Sequence, residues 1–437
     1  MALSRRRETV LAALASAFVL VALTAVGLAP YARANSWAAS AGPAPWQIAG
    51  LGLIWLACLV VSIVWLRRSV PRHDPYLLPA AYLLSGWGMA VIWRLAPGFA
   101  MRQALWLIVG TALLIGVAVL PGDLRWLRRY RYTWLLGGLA LTMLTLLFGV
   151  NPSGYGERLW LGLGGLIYLQ PAEILKVLLV VFLAAYLADR REVLFQRKSA
   201  PSRFRQILSW PSFPYFFPLL LMWGFSMVVL ISQRDLGMST LFFAVFLVML
   251  YLASGQMRYV LVGVGLLLLG GLIGYYLFDV VRLRVEAWWN PWQDASGRSF
   301  QIVQSLIALA AGGLAGQGPG LGAPTLIPVA HSDFIFAALA EEWGLAGTIA
   351  VTGLVSLIIF RGLHVAVAAQ GAFRQLLASG LAALLGLQAL IIMGGVVKIL
   401  PLTGLTLPFM SYGGSSLVAS FCMLGLLLRL SVPAPTP

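Results

Sequence analysis

Two neighbouring stretches, 238–254 (MSTLFFAVFLVMLYLAS) and 259–278 (YVLVGVGLLLLGGLIGYYLF), decide the fold class of this 437-residue chain. Neither stretch contains a charged residue, and only residues 255–258 separate them. A helix of about 20 apolar residues spans the hydrocarbon core of a bilayer. Backbone groups in lipid must bond within their own segment, and these stretches lack the alternation of a membrane β-barrel. They therefore predict two adjacent membrane-spanning helices.

The same apolar pattern extends over the rest of the chain. Hydrophobic residues make up 60% of the sequence, charged residues make up 10%, and the mean hydropathy is +0.90. Because soluble domains carry about 25% charged residues, this composition excludes a soluble protein. We predict an all-α polytopic membrane bundle of about twelve transmembrane helices. The predicted spans are 10–30, 47–66, 76–96, 103–120, 132–150, 171–188, 214–232, 238–254, 259–278, 334–360, 376–399 and 413–430.

The first span has a second interpretation. Three arginines precede it, and Ala32-Arg33-Ala34 resembles the cleavage site of a signal peptide. Its apolar region is too long for a signal peptide, so we predict a retained helix.

Basic residues set the predicted orientation, because cytoplasmic loops of membrane proteins are enriched in lysine and arginine. With the N-terminus inside, both termini are cytoplasmic, and the net charge of +16 reports topology and contact with anionic membrane lipids. Nucleic-acid binding is disfavoured, because no basic cluster accompanies a foldable soluble module. The residues assigned to the cytoplasmic side are Arg5, Arg6, Arg7, Arg67, Arg68, Arg72, Arg125, Arg128, Arg129, Arg131, Arg190, Arg191, Arg197, Lys198, Arg203, Arg205, Arg361 and Arg374.

Three outer segments interrupt the apolar pattern, at 151–170, about 279–333 and 400–412. In the longest of them, 300–310 has helical apolar spacing and predicts a short helix on or in the bundle. The glycine-rich run 312–322 follows it. A phosphate-binding loop would need a strand before it, so a flexible or tightly packed loop is the favoured interpretation.

Charges near bilayer depth are costly and usually face a cavity or a partner. Glu173 and Lys176 lie three residues apart at the outer start of a helix, so they share a face and can pair. A structural pair and a functional pair both fit this spacing. Asp235 lies in a short outer turn, where capping of the next helix is the favoured role.

Asp333 lies where the longest outer loop meets the next helix. It can be a helix N-cap, but its place at the mouth of an outer cavity favours a functional role. Glu341 and Glu342 lie about 12 Å deeper along the same helix and point in other directions. We predict that these two form a separate, buried structural set.

Positive charges on the outer face run against the orientation rule. An anionic ligand at the outer leaflet would explain them, and ordinary surface charge is the alternative for any single residue. The candidates are Arg158, Arg282, Arg284, Arg298 and Lys398.

The cysteines and two of the histidines carry no clear chemistry. Cys58 and Cys422 lie within predicted helices, where a small apolar packing role is expected. His331 and His364 lack carboxylate or cysteine neighbours at metal-ligand spacing.

Six motifs in order resemble the SEDS family (shape, elongation, division and sporulation), which includes RodA and FtsW. The resemblance covers residues 130–430. The motifs are Gln170-Pro171-Ala172-Glu173 with Lys176, Asp235-Leu236-Gly237, Asn290-Pro291-Trp292, Gln304-Ser305-Leu306, His331-Ser332-Asp333-Phe334-Ile335-Phe336-Ala337 with Glu341-Glu342, and Leu400-Pro401-Leu402-Thr403-Gly404 through Pro408-Phe409-Met410-Ser411-Tyr412-Gly413-Gly414-Ser415-Ser416-Leu417.

The resemblance implies a peptidoglycan glycosyltransferase that polymerises lipid II on the outer face of the cytoplasmic membrane, in elongation or division. It also implies a class B penicillin-binding protein as partner, which cross-links the product. The family's essential aspartate matches Asp333, and its functional outer-loop tryptophan best matches Trp160. Its helix charge pair matches Glu173 and Lys176. Residues 1–75 would be two extra N-terminal helices, and 76–437 would be the SEDS-like core with its long outer loop.

Two positions depart from the family pattern. Leu159 separates Arg158 from Trp160, which are adjacent in the family, so the role of Arg158 is open. Arg234 stands where a proline usually precedes Asp235.

The implied reaction needs two kinds of group. The donor sugar leaves as a lipid pyrophosphate, which cations such as Arg284, Lys398 and Arg158 can stabilise. The acceptor hydroxyl needs a base or a divalent metal cation, and a carboxylate at Asp333 can act as the base or hold the metal. A lipid II flippase, with charged residues lining its path, and a noncatalytic scaffold remain the alternatives.

Overall fold

The computed structural model describes residues 2–34, 45–120, 124–152, 157–163, 167–195 and 213–433. Its helices are α1 (Ala2–Ala34), α2 (Pro45–Ser69), α3 (Leu77–Leu95), α4 (Pro97–Val119), α5 (Arg125–Arg129), α6 (Arg131–Phe148), α7 (Pro171–Phe195), α8 (Phe213–Ser232), α9 (Leu236–Ser254), α10 (Met257–Leu277), α11 (Asp279–Trp289), α12 (Phe300–Gly312), α13 (Ile335–Ala368), α14 (Ala372–Val396) and α15 (Gly414–Leu430). Short 3-10 turns lie at Pro291–Asp294 and Pro324–Leu326.

Each predicted span overlaps one helix, so the all-α, multi-pass membrane architecture is confirmed. Within the described ranges, nine helices are long and apolar enough to cross a membrane, and α3, α8 and α15 fill the other three predicted spans. Helix α3 carries Ser85 and Arg94, and it is buried along most of its length. A helix surrounded by protein can be less apolar than a helix that faces lipid.

The centre of the bundle is formed by α3, α7, α14 and α15, whereas α10 is exposed along most of its length. The N-terminal helices α1 and α2 pack on α3 and α4. Trp55 of α2 donates through Nε1 to the carbonyl of Tyr82 in α3, at 3.0 Å. The hydroxyl of Tyr82 in turn lies 2.8 Å from that of Ser62. These contacts are buried, so the N-terminal pair shares the core of the bundle.

The outer segments fold back onto the bundle. A hairpin of β1 (Leu161–Leu163) and β2 (Ile167–Leu169) precedes α7, with Gly162 opposite Tyr168. The long loop contains α11 and α12, and α12 confirms the short helix predicted at 300–310.

Helix α13 is interrupted at Gly344, which has a φ of 64° that glycine adopts most easily. The glycine-rich run fills the break. The break leaves helix carbonyls that precede it without partners inside the helix. The amides of Gln317 and Gly318 donate to two of these carbonyls, at 2.9 and 3.0 Å. The carbonyls of Gly313 and Leu314 accept from two helix amides that follow the break, at 2.9 and 3.2 Å. The run is therefore a tightly packed loop, which satisfies backbone groups at bilayer depth.

Glu341 and Glu342 fix the far end of the same run. Glu341 accepts from the amide of Ala323 at 2.7 Å, and Glu342 accepts from the amide of Gly320 at 2.9 Å. Arg94 of α3 donates to Glu342 at 3.2 Å. Both glutamates are buried, which confirms the predicted structural set.

Candidate active site

The site is built where the segment before α13 meets the segment before α15. The Ser411 hydroxyl donates to the carbonyl of Ser332 at 2.7 Å, and it accepts from the amide of Leu407 at 2.9 Å. The amide of Tyr412 donates to the carbonyl of His331 at 2.9 Å. These bonds hold residues 331–333 against the 403–412 segment, although about 70 residues of sequence separate them.

Asp333 lies at this junction and is half-buried. Its carboxylate accepts from the Ser332 hydroxyl at 2.9 Å. The chain passes close to it at Gly404, where φ is 76° and a Cβ atom would lie 3.7 Å from the carboxylate. Burial raises the pKa of Asp333 above its ordinary value, against the opposing effects of the Ser332 hydrogen bond and the Arg284 charge.

The capping alternative for Asp333 is wrong. Phe334 occupies the N-cap position of α13, and no side chain caps the helix there. The residue is held by the serine and glycine contacts just described, one position too early to cap. Its carboxylate is therefore available for another role.

Arg284 of α11 provides the positive charge at this junction. Its guanidinium donates to the carbonyl of Thr403 at 3.1 Å, and Trp288, one turn further on, donates to the carbonyl of Lys398 at 3.1 Å. Burial lowers the pKa of Arg284, while the charges of Asp235 and Asp333 raise it. A guanidinium in this setting stays cationic, so Arg284 carries a fixed charge between two carboxylates.

Asp235 is the N-cap of α9, as predicted, and its carboxylate accepts from the amide of Met238 at 3.0 Å. Burial raises the pKa of Asp235 to about 6, and the nearby charge of Glu173 adds to the effect. Gly237 lies against the carbonyl of Thr403, because a Cβ there would come within 2.6 Å of it. The capping turn therefore also touches the segment that Arg284 binds.

Glu173 and Lys176 form an ion pair on the first turn of α7, and both are buried. Lys176 also donates to the side-chain oxygen of Gln388 at 2.8 Å. The amide nitrogen of Gln388 donates to the carbonyl of Thr406 at 2.7 Å. The pair is thus connected to the 403–412 segment. Sequence reasoning missed Gln388, although a buried amide in an apolar membrane helix was an available signal.

The structure does not bring Trp160, Arg158 and Lys398 into hydrogen-bond or ion-pair contact with Asp333 within the residues it describes. Trp160 pairs through its backbone with Val150, and Arg158 is exposed. Lys398 is half-buried, with a φ of 64° that places it in the left-handed region. Their placement near the site stays a prediction.

Two further groups, Glu157 and His331, lie near the site. Glu157 forms an ion pair with Arg234 at 3.6 Å, and its charge also acts on Arg284. His331 stacks on Phe99 with ring centroids 4.6 Å apart. Burial lowers the pKa of His331, so its ring is neutral over a wider pH range.

Among the residues that the structure describes, no group of three or more His, Cys, Asp or Glu side chains is placed to hold a metal ion. A single carboxylate such as Asp333 can still share a divalent cation with substrate phosphates, because Mg²⁺ commonly binds through one or two carboxylates and phosphate oxygens.

Known proteins resemble this chain in both sequence and fold. The model of the cell cycle protein family FtsW, RodA and SpoVE matches residues 90–434. A protein named peptidoglycan glycosyltransferase RodA from Mycobacterium tuberculosis (strain ATCC 25618 / H37Rv) is 39% identical, over 90% of this chain and 85% of that protein. A probable peptidoglycan glycosyltransferase FtsW from Geobacter sp. (strain M18) is 34% identical, over 83% of this chain and 98% of that protein.

Solved structures also resemble this chain in fold. A chain from a peptidoglycan synthase complex, described as coordinating polymerization and crosslinking, has a TM-score of 0.67 and 27% identity, and the match covers 82% of this chain and 97% of that one. The rod shape determining protein RodA of Thermus thermophilus has a TM-score of 0.58 and 26% identity, over 82% of this chain and 96% of that one. This chain therefore belongs to the FtsW, RodA and SpoVE family, as its six motifs predicted.

Proposed function

We propose that this protein is a peptidoglycan glycosyltransferase that polymerises lipid II into glycan strands on the outer face of the cytoplasmic membrane. Relatives at 34% and 39% identity carry the name of this activity. The observation that carries the proposal is the Asp333 carboxylate, which does not cap its helix and lies within the field of Arg284.

In the proposed reaction, the acceptor sugar hydroxyl attacks the anomeric carbon of the donor. Asp333 takes the hydroxyl proton as the new C–O bond forms. The bond between the anomeric carbon and the phosphate oxygen breaks, and the lipid pyrophosphate leaves with the electron pair. Arg284 stabilises the negative charge that develops on this leaving group. The leaving pyrophosphate therefore needs no proton from an acid.

The other candidate residues support substrate binding in this scheme. Glu173 and Lys176 position the 403–412 segment through Gln388, which keeps Thr403 and Gly404 in place beside Arg284 and Asp333. Arg158 and Lys398 are proposed pyrophosphate contacts, and Trp160 is a proposed sugar contact.

The cellular setting follows the same relatives. The solved synthase complex supports a penicillin-binding protein as partner, and we propose one of class B. The orientation is proposed from the loop charges, with both termini cytoplasmic and the 403–412 segment outside. The 39% identity to RodA proteins favours a role in elongation over one in division.

The flippase alternative predicts that Glu173 and Lys176 line a path across the membrane. Their side chains are instead 3% and 0% exposed and are bonded to each other and to Gln388. A sealed pair of this kind suits a structural support for the site.

The test is polymerisation of labelled lipid II by the purified full-length protein in detergent, where there is no second leaflet for a flippase to use. Asp333→Asn should reduce polymer formation by about a hundredfold or more, because it removes the base. Folding and lipid II binding should persist, since the cations are untouched. The matched control is Asp279→Asn, which changes an exposed carboxylate paired with Arg282.

Near wild-type polymerisation by Asp333→Asn would overturn the catalytic assignment. Loss of activity in the control as well would indicate a general charge effect on the outer surface. Parallel reactions with and without divalent cations test the metal alternative directly.

A further inference from the structure

The opposite end of α6 and α7 carries a cluster of four arginines that the proposed reaction does not use. Arg131 begins α6 and Asp189 lies near the end of α7. At the other ends of these helices, Val150, the backbone partner of Trp160, follows α6, and Glu173 lies in the first turn of α7. Helix α6 has 18 residues, which at 1.5 Å per residue is close to the thickness of a bilayer core. The cluster therefore lies at the level of the lipid headgroups, one membrane thickness from the candidate active site.

Helix α5 places the cluster in the membrane interface. It joins α4 to α6 and is preceded by Leu124, whose φ of 49° makes the turn. Trp126 packs edge-to-face on Trp134, with ring centroids 5.2 Å apart. Leu127 is buried, and Tyr130 is exposed. Aromatic side chains at this depth are typical of the membrane–water interface.

Among the residues that the structure describes, four arginines and one aspartate line a cavity of about 260 Å³. Its lining residues are Arg125, Arg128, Arg129, Arg131 and Asp189. Asp189 is the acidic residue of this lining, and it accepts from both Arg128 and Arg131. Arg129 has no ion-pair partner in the described part of the chain. The described lining residues therefore carry a net charge of +3, from four arginines less one aspartate.

We infer that this cavity binds the phosphodiester headgroup of an anionic phospholipid. Like charges that converge around an open cavity repel each other, and a bound anion relieves this repulsion. Guanidinium groups bind phosphate oxygens in bidentate geometry, and phosphodiesters are the anions present at headgroup depth. The interfacial aromatic residues of α5 place the arginines at that depth. This inference goes beyond the proposed function and does not depend on it.

The test measures lipid binding to the full-length protein in detergent by native mass spectrometry. Phosphatidylglycerol should bind in preference to phosphatidylcholine. The double variant Arg125→Gln/Arg129→Gln should weaken phosphatidylglycerol binding by about 25-fold, or about fivefold for each arginine. The Asp189 ion pairs to Arg128 and Arg131 are kept in this variant. If the double variant unfolds early, Arg129→Gln alone should still show the fivefold loss.

The matched control is Arg5→Gln/Arg6→Gln, which removes the same charge from exposed arginines outside the cavity. It should leave phosphatidylglycerol binding within about twofold of wild type. Equal losses in both double variants, or no loss in the cavity variant, would overturn the inference. A large excess of inorganic phosphate should fail to displace the lipid. Complete displacement would show that the site takes free phosphate and would also overturn it.

Discussion

Removing one charge from the buried Glu173–Lys176 pair should cost more stability than removing both. Lys176→Met leaves the Glu173 carboxylate buried without its cation and takes the donor from Gln388. Breaking a buried pair in this way costs about 3–5 kcal/mol. Glu173→Gln leaves Lys176 in the converse position, at a similar cost.

The double variant Glu173→Gln/Lys176→Met removes both charges. Its remaining cost is the unbonded oxygen of Gln388, about 1–3 kcal/mol. The two single changes together amount to about 6–10 kcal/mol, so the coupling within the pair is about 3–9 kcal/mol. Equilibrium unfolding in mixed detergent micelles, followed for all four proteins, measures this coupling directly.

Arg282 and Asp279 provide the matched control, because they are also three residues apart on a helix but are 48% and 82% exposed. Their coupling should be below about 1 kcal/mol. A Glu173–Lys176 coupling as small as that of the control would refute the reasoning. If the double variant recovers folding but not polymerisation, the pair has a role in the reaction as well as in the fold.

Three further predictions follow from other parts of the molecule. Burial raises the pKa of Asp333, and only the deprotonated carboxylate can act as a base. The polymerisation rate should therefore rise with pH through that raised pKa. A rate that is flat from acid to neutral pH would contradict this prediction. Gly344→Ala should lower the free energy of unfolding by about 2–5 kcal/mol, because it adds a Cβ atom in a left-handed, tightly packed position. Its control is Gly353→Ala in the same helix, where the added Cβ atom has open space and should be neutral or stabilising. A cysteine at Ser296, which is exposed in the long outer loop, should react with an impermeant reagent from outside the cell. One near Ser199, which lies outside the described residues, should not; the reverse pattern would invert the topology.

The sequence predicted the helices well because each one is constrained locally. A segment must be apolar for the thickness of the bilayer, and this requirement can be read from composition alone. The capping role of Asp235 was predictable for the same reason, since the residue and its amide partner are three positions apart. Position along a helix also separated Glu341 and Glu342 from Asp333.

The details of the site depend on contacts between distant segments. The capping alternative for Asp333 failed because Ser411 and Tyr412 hold the preceding residues, and those bonds cross about 80 residues of sequence. Gln388 was missed because its partners, Lys176 and Thr406, lie on other elements. The motifs pointed to the residues of the site, but only the fold shows which of them meet.

The break in α13 also determines how this part of the bundle opens. By sequence, Gln317 and Gly318 belong to a loop, yet their amides are bonded to carbonyls of a membrane helix. Leu345 and Ala346 depend in turn on carbonyls of that loop. Opening either segment alone would strand buried polar groups of the other. The loop and the helix must therefore open together, so these loop amides should exchange hydrogen as slowly as the helix amides around them.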